Sequence, residues 1–404
     1  MKVGFSTRKI PIKDSFHLSG YLDRLEKSDG ILDEIYVRVC LISVEFLRIA
    51  LVSIDSLAIT RKTTIEWQKS LELTYPEIEK VIFFTTHTHS APSVSDYGEL
   101  MVLDEGYDLI VMEKIIECIR DAKNSLLECG ISFKSILDDK IGKNRIKKEN
   151  NSYVYLNTLY FWGKDNVLLG GIINYNCHPT ILSYKNHKIS SEFTGLALIN
   201  LEKKLKKSKF LFANGAAGDI STRFTRKSQT YEQVIEFSNI LSDKIEKQIL
   251  EEQLFEESDN LTILTETFLL KGKEQRDLEI IEEEIERVKK LKEEEPRILE
   301  TMLQGLEIEK DRIFYKDFLE YETEINIINL GNIFIITAPG EFYSYYEKEI
   351  LNKNPNVIFI GYSNGYIGYV TESDHAKPES YEEASAHILA SEGHRILEFI
   401  KTKL

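Results

Sequence analysis

Apolar residues run along this chain in short blocks bounded by turn residues, and the blocks predict strands at 35–44, 46–54, 81–84, 131–141, 154–162, 167–176, 209–212, 261–270, 324–330, 333–337 and 357–360. Glu45 alone separates the first two runs, while Gly163-Lys164-Asp165-Asn166 and Gly331-Asn332 close two further hairpins. Between the strands the spacing changes to 3.6 residues. Thr60 opens a helix through residue 73, closed by Tyr75-Pro76, and Met112, Ile115, Ile116, Ile119, Ala122, Leu126 and Leu127 predict a helix over 108–129 that ends at Gly130. Further helices are expected at 192–206, along the face Val234, Phe237, Leu241, Ile245 and Ile249, and at 342–351. The fold class is therefore α/β, a mixed β-sheet core flanked by helices, in a single domain over 1–404.

One segment departs from this rhythm. From 273 to 295 the chain is mostly Glu, Lys and Arg around Leu278, Ile281, Ile285 and Val288, and Pro296 separates it from a second helical run through 308. This predicts a helical hairpin over 273–310, inserted in the domain, whose charge forms a solvated face. A lid or a homo-oligomer contact is the alternative role.

Strand ends carry the candidate chemistry. Val81-Ile82-Phe83-Phe84 leads to Thr85-Thr86-His87-Thr88-His89-Ser90-Ala91-Pro92; in an extended chain residues i and i+2 share a face, so His87 and His89 project together from a sheet rim. Such a pair binds a metal or is a hydrogen-bonded structural pair. The run ending Asn176-Cys177-His178-Pro179 delivers a second rim histidine, and Ala338-Pro339-Gly340-Glu341 delivers a carboxylate. The small-residue loop from Ala213 to Ser221 lets backbone approach a ligand, presenting amides or the Ser221 hydroxyl to an oxyanion, or else is a tight strand-to-helix turn. Asp55, at another strand exit, either orients a ligand histidine or closes a turn. Gly142-Lys143-Asn144-Arg145 places one arginine beside a sheet, and the tyrosines from Tyr362 to Tyr381 read as aromatic packing unless a metal lies nearby.

Composition narrows the partners. An apolar content of 42% suffices for a buried core, and the 66 acidic against 51 basic residues, a formal charge of −15, oppose binding to nucleic acid. No stretch approaches the ~20 apolar residues of a membrane span, so no transmembrane segment is expected, and the first residues lack the apolar core of a signal peptide. The expected location is cytoplasmic. Cys40, Cys118, Cys129 and Cys177 have no C-x-x-C spacing and read as packed thiols, with Cys177 notable for adjoining His178.

In chain order, His87-Thr88-His89-Ser90-Ala91-Pro92, Asn144-Arg145, Cys177-His178-Pro179-Thr180, Gly215-Ala216-Ala217-Gly218-Asp219-Ile220-Ser221, Pro339-Gly340-Glu341 and the Tyr369 and Tyr381 motifs resemble the catalytic domain of the neutral ceramidase family, the neutral/alkaline non-lysosomal ceramidases. The matches spread from residue 3 to about residue 400. The resemblance implies one Zn2+ per chain held by His87, His178, Glu341 and Tyr369, with a water whose pKa falls toward ~7 and yields the hydroxide that attacks an amide carbonyl. It further implies proton transfer by His89, and carbonyl binding or oxyanion stabilisation by Arg145, Ser221 and Tyr381, contributions of ~2 to 4 kcal/mol each. A C-terminal immunoglobulin-like domain is not expected here. The expected activity is zinc-dependent hydrolysis of an N-acyl, ceramide-like amide; the alternatives are a smaller non-lipid amide or ester, and a non-catalytic binding or assembly protein.

Overall fold

Val37, Val39 and Leu41 of strand Tyr36–Val44 enter one apolar cluster, whereas Cys40 and Ile42, on the opposite face, enter another. The same alternation divides Ala50 and Val52 from Ile49 and Leu51, Phe210 and Phe212 from Leu211 and Ala213, and Val357 and Phe359 from Ile358 and Ile360. Both faces of these strands are buried, which is why the sequence shows continuous apolar runs.

The computed structural model describes residues 1–404 apart from 99, 139, 147–152, 252–257, 275, 292–295, 316–319 and 374–379, and apart from the side chains of 296–298 and 311–315. Its helices are α1 (Arg61–Thr74), α2 (Tyr107–Asn124), α3 (Glu192–Lys204), α4 (Tyr231–Glu251), α5 (Leu278–Lys289), α6 (Pro296–Tyr315), α7 (Ser344–Lys353), α8 (Tyr381–Ala384) and α9 (Ala390–Lys403). The long strands form three mixed sheets. One has the order Lys80–Thr85, Leu47–Ile54, Tyr36–Val44, Lys2–Lys9, Leu127–Glu128; the second, Lys209–Asn214, Leu168–Tyr175, Tyr155–Trp162, Gly130–Leu137; the third, Thr262–Lys271, Glu320–Asn329, Phe334–Thr337, Val357–Ile360. The inner faces meet in a central core to which the first sheet gives Leu51 and Phe84, the second Ile172 and Leu211, and the third Ile335 and Ile358. Each outer face is covered by its own helices: α1 and α2 through Trp67 and Ile115, α3 and α4 through Phe193 and Phe237, α7 and α9 through Tyr346 and Leu397.

All three sheets end in one parallel strand pair, the rest of their pairing being antiparallel. A parallel pair needs a crossover, supplied by α1, α3 and α7 respectively. The carboxyl ends of a parallel pair lie side by side, where α/β folds place ligands. Here the three pairs interlock near those ends: the amide of Gly361 donates to Asn214 O at 2.9 Å, the Ser53 hydroxyl to Phe212 O at 2.6 Å, and Asn174 Nδ2 to Phe359 O at 2.8 Å.

Two boundaries differ from expectation. Helix α2 stops at Asn124, capped by the Ser125 amide, because Leu127–Glu128 instead pairs with the open edge of Lys2–Lys9 and leaves Leu127 exposed. Helix α6 runs on to Tyr315, and the turn joining it to α5 lies outside the described residues. Among the described residues no helix is long and apolar enough to cross a membrane.

Candidate metal centre

His87 and His89 converge by a route other than strand alternation. The strand ends at Thr85, and His87 has φ of 63°, a left-handed conformation that costs about 1–3 kcal/mol in a non-glycine residue. The turn brings His87 Nε2 to 3.3 Å from His89 Nε2. Backbone carbonyls fix each ring from behind: Leu57 O lies 2.9 Å from His87 Nδ1, Gly20 O 2.9 Å from His89 Nδ1, and Ala217 O 2.7 Å from His178 Nδ1. A carbonyl only accepts, so each Nδ1 carries a proton and each Nε2 is the atom turned inward.

Glu341 meets these lone pairs with a carboxylate. Its Oε2 lies 2.8 Å from His178 Nε2 and 3.5 Å from His87 Nε2, while Oε1 accepts a hydrogen bond from the Tyr366 hydroxyl at 2.6 Å. The Tyr369 hydroxyl stands 3.5 Å from His178 Nε2 and accepts from Arg145 Nη2 at 2.9 Å. Burial, with Arg145 beside it, holds the His178 imidazole neutral down to about 4, and burial with His87 beside it keeps His89 well below the usual histidine range. Burial alone would raise Glu341, yet His87 and His178 hold its carboxyl well below the usual carboxylate range. Glu341 Oε2 and the Nε2 atoms of His87, His89 and His178 thus converge, with burial disfavouring the charged form of His89 and His178.

That is a cation's environment. Ligands at ~2.0–2.2 Å from one tetrahedral ion stand about 3.4 Å apart, close to the 3.3 and 3.5 Å separations here. His87, His89 and His178 form a group whose ligand atoms lie within 4.8 Å of one another. The residues fit a bound divalent metal, with Glu341 and Tyr369 at the same point. Tyr369 is pushed well above the ordinary tyrosine range by burial and by Glu341, so its phenolate needs the Arg145 charge and a metal.

The other expected residues surround this centre. Arg145, Ser221 and Tyr381 line, with the histidines, one cavity of about 710 Å3. Arg145 is engaged: Nη2 also donates to Gly218 O at 2.9 Å, and Nε lies 2.7 Å from Glu382 Oε1. Ser221 Oγ accepts from the Arg223 amide at 3.3 Å, and the Tyr381 ring stands edge-on to Tyr369 at 5.8 Å.

At three positions the contacts support the structural alternative. The small residues of the 213–221 loop admit the protein's own backbone: a Cβ on Gly218 would lie 2.5 Å from Glu341 O, and the amides of Gly218 and Ala216 donate to Phe342 O and Glu347 Oε2 rather than facing an oxyanion. Asp55 accepts from the Tyr36 amide at 2.8 Å, closing the exit of its own strand, while His87 Nδ1 is served by Leu57. Cys177 is a fully buried thiol pushed up by burial, with no place in the centre.

Sequence reasoning missed several contributors. Tyr366 grips Glu341, Tyr362 packs on His87 with ring centres 4.2 Å apart, and Arg24 Nη1 donates to His89 O at 2.7 Å. The clustering of tyrosines after Val357–Ile360 was the available signal for the first two. The hairpin is a further surprise: Arg287, Lys290, Leu291, Thr301, Met302 and Gln304 line the cavity, and Gln304 bonds Asp23 on the opposite rim. A Cβ on Gly305 would lie 3.0 Å from Tyr381 Cα, so α6 backs the helix that carries Tyr381.

Comparison with known proteins follows the same line. The family profile described as neutral/alkaline non-lysosomal ceramidase, N-terminal, matches residues 11–275. A crystal structure of neutral ceramidase from Pseudomonas aeruginosa superposes with a TM-score of 0.75 at 18% identity, covering 99% of this chain and 73% of that one. A ceramidase complexed with C2 gives a TM-score of 0.75 at 18% identity, covering 99% and 74%. No curated protein sequence matches the chain.

Proposed function

The chain belongs to the neutral/alkaline non-lysosomal ceramidase family, and on that premise we propose that it is a zinc-dependent amidohydrolase cleaving an N-acyl, ceramide-like amide. The observation that carries the reading is the convergence of His87 Nε2, His178 Nε2 and Glu341 Oε2 within the cavity. His87, His178, Glu341 and Tyr369 would hold the metal. When bound, it supplies Lewis acidity and lowers the pKa of water to near neutrality.

The remaining work falls to side chains. His89, neutral and with its Nδ1 proton held by Gly20 O, has an Nε2 lone pair ready to accept a proton from the nucleophile and return it to the leaving amine. Arg145 sets a fixed positive charge against the Tyr369 hydroxyl, which favours the phenolate. Ser221 and Tyr381 offer hydroxyls from the cavity wall to the carbonyl oxygen as it gains charge. The roof formed by α5 and α6 restricts water above them.

Purified protein should contain one zinc per chain and release fatty acid from soluble N-acyl amides, with both properties lost on chelation and restored by zinc. Full activity in a metal-free preparation would sink the reading. His89→Ala separates the two ligand sets available in the cluster: zinc retained with turnover lost assigns His89 to proton transfer, whereas zinc lost assigns it to the metal.

A further inference from the structure

The three imidazoles are alike in how their rings are held and differ in how their main chains are. The His87 amide donates to Ser56 O, just past strand Leu47–Ile54, and the His178 amide to Ile220 O, each at 3.0 Å. Among the described residues the His89 main chain makes one hydrogen bond, from Arg24 Nη1 to its carbonyl at 2.7 Å. We propose, building on the amidohydrolase reading, that Arg24 is a positioning residue for the reaction: it fixes the His89 main chain while Gly20 O, from the same turn, fixes the ring, and together they aim Nε2 at the amide.

Arg24 is 6% exposed, and its guanidinium is spent on main-chain carbonyls. Besides His89 O, Nη1 donates to Ser19 O at 3.4 Å, Nη2 to Ser183 O at 3.1 Å and Nε to Tyr184 O at 3.3 Å. These carbonyls belong to three segments, two of them 65 and 159 residues away in sequence. A neutral amide side chain has two donors and an ammonium is a point charge, whereas a guanidinium spreads five donors over a plane. Arginine is thus the side chain that can join these segments at one place. Burial brings it down only to about 10, so it remains charged at neutral pH.

The turn that carries Arg24 also touches the His89 ring. The Arg24 amide donates to Tyr21 O at 3.2 Å, and the guanidinium folds back over the Tyr21 ring, 4.9 Å from its centre. Tyr21 in turn packs on His89 with ring centres 4.9 Å apart. Gly20 has φ of 98°, and a Cβ there would lie 2.4 Å from His89 Nδ1, so the backbone reaches the imidazole only because no side chain intervenes. Residues 20–24 therefore grip His89 at both its carbonyl and its ring. A shift of about 1 Å in a group that must meet a reacting atom can cost about 100-fold in rate.

The test uses the direction of proton transfer. The proton that His89 Nε2 takes from the attacking water ends on the amine nitrogen as the C–N bond breaks, whereas the phenolate of an activated ester leaves without one. N-octanoylethanolamine and p-nitrophenyl octanoate share an acyl chain and differ in that requirement. With zinc-loaded protein, Arg24→Gln and Arg24→Lys should keep their zinc and their KM, while kcat for the amide falls about 10- to 100-fold further than kcat for the ester. Two substitutions are compared so that a misfolded one does not decide the result. His89→Ala supplies the reference split, and Lys27→Met, which frees the far end of the same segment from Asp104, should leave the amide-to-ester ratio at the parent value. NMR of the metal-free protein reads the grip without turnover: the His89 Nδ1 proton should exchange about tenfold faster or more in the Arg24 variants. A split in His89→Ala with none in the Arg24 variants overturns this inference alone, as does zinc lost with Arg24 or a ratio moved by Lys27→Met. An unsplit His89→Ala overturns the proton-transfer reading and this inference with it. No amide cleaved by the parent overturns the amidohydrolase, while faster exchange would still place His89 under the control of Arg24.

Discussion

Around the three imidazoles the fixing contacts are short hydrogen bonds to buried carbonyls, whereas the hairpin above them is fixed largely by ion pairs between partly exposed cations and buried carboxylates. Leu57 O, Gly20 O and Ala217 O set the floor. The roof depends on Arg276 with Glu309, on Lys273 with Glu383 at 2.8 Å, and on a narrow apolar seam of Ile281, Ile285, Val288 and Leu306. With their cations within reach of solvent, these pairs weaken as salt rises. Buried imidazole–carbonyl bonds do not. The difference teaches that metal affinity and substrate handling are separable properties of this molecule, one belonging to the floor and the other to the roof.

The strongest way to break the comparison is to attack the floor. His178→Ala or Glu341→Ala should abolish zinc retention and hydrolysis together, a larger loss than the ~10 to 100-fold typical of residues that only support a ligand. Metal content after gel filtration and turnover read both. Tyr366→Phe belongs to the supporting class: losing the donor at Glu341 Oε1 should cost about 10 to 100-fold in zinc affinity while the protein stays folded. An affinity equal to the parent would show that Oε1 needs no partner.

Excising the roof should do the opposite. Joining Lys271 to Glu320, paired neighbours in the third sheet, through a short glycine-serine turn removes both helices. Zinc should remain, and turnover of soluble amides should fall about tenfold or more as α8 and Tyr381 lose their backing. Gly305→Val, which forces a side chain against Tyr381, should reproduce a smaller part of that fall. Zinc loss in either variant would mean that floor and roof are one unit.

A milder probe is pH. Burial raises the Glu347 carboxyl, beneath the Ala216 loop, from its model-compound value of 4.5 to about 8, and raises Glu192 to about 7 and Asp55 and Asp219 to about 6. A raised carboxyl binds its proton more tightly in the folded state. Its contribution is therefore complete below the unfolded pKa and is lost as pH climbs through the folded one. Stability to urea should decline from about pH 5 to pH 8, and Glu347→Gln should flatten that slope at some cost to the baseline. A slope unchanged by the substitution would place the titration elsewhere.

Much of the floor was legible in the sequence, because apolar runs ending in His87, His178 and Glu341 mark strand exits whatever the pairing. Less legible was what lies beyond each exit. Tyr366 and Tyr369 reach opposite sides of Glu341 and His178 only because Tyr362, Asn364 and Gly368 adopt positive φ, and tyrosine at such an angle announces nothing in advance. The left-handed His87 is the same case. Gly20 entered the site from a segment with no periodicity, and the parallel pairing in each sheet depends on contacts far apart in sequence. The hairpin's charge pattern showed an exposed face but not that Arg287 and Lys290 border the cavity, since orientation on the domain is set by α8 and Gly305.

The interlocked strand ends also have a kinetic meaning. His178 and Glu341 are 163 residues apart, and Tyr369 and His178 191, so the centre comes into being only when three separately hairpinned sheets have docked. Contacts of such long separation are expensive in loop closure and tend to form late. A metal bound there would thus join a chain that has already crossed its folding barrier. An interaction absent from the transition state slows unfolding and leaves the refolding rate alone. Refolding from urea with and without zinc should share one rate constant, and only the unfolding arm should shift; a faster refolding arm would mean that the ion helps to dock the sheets.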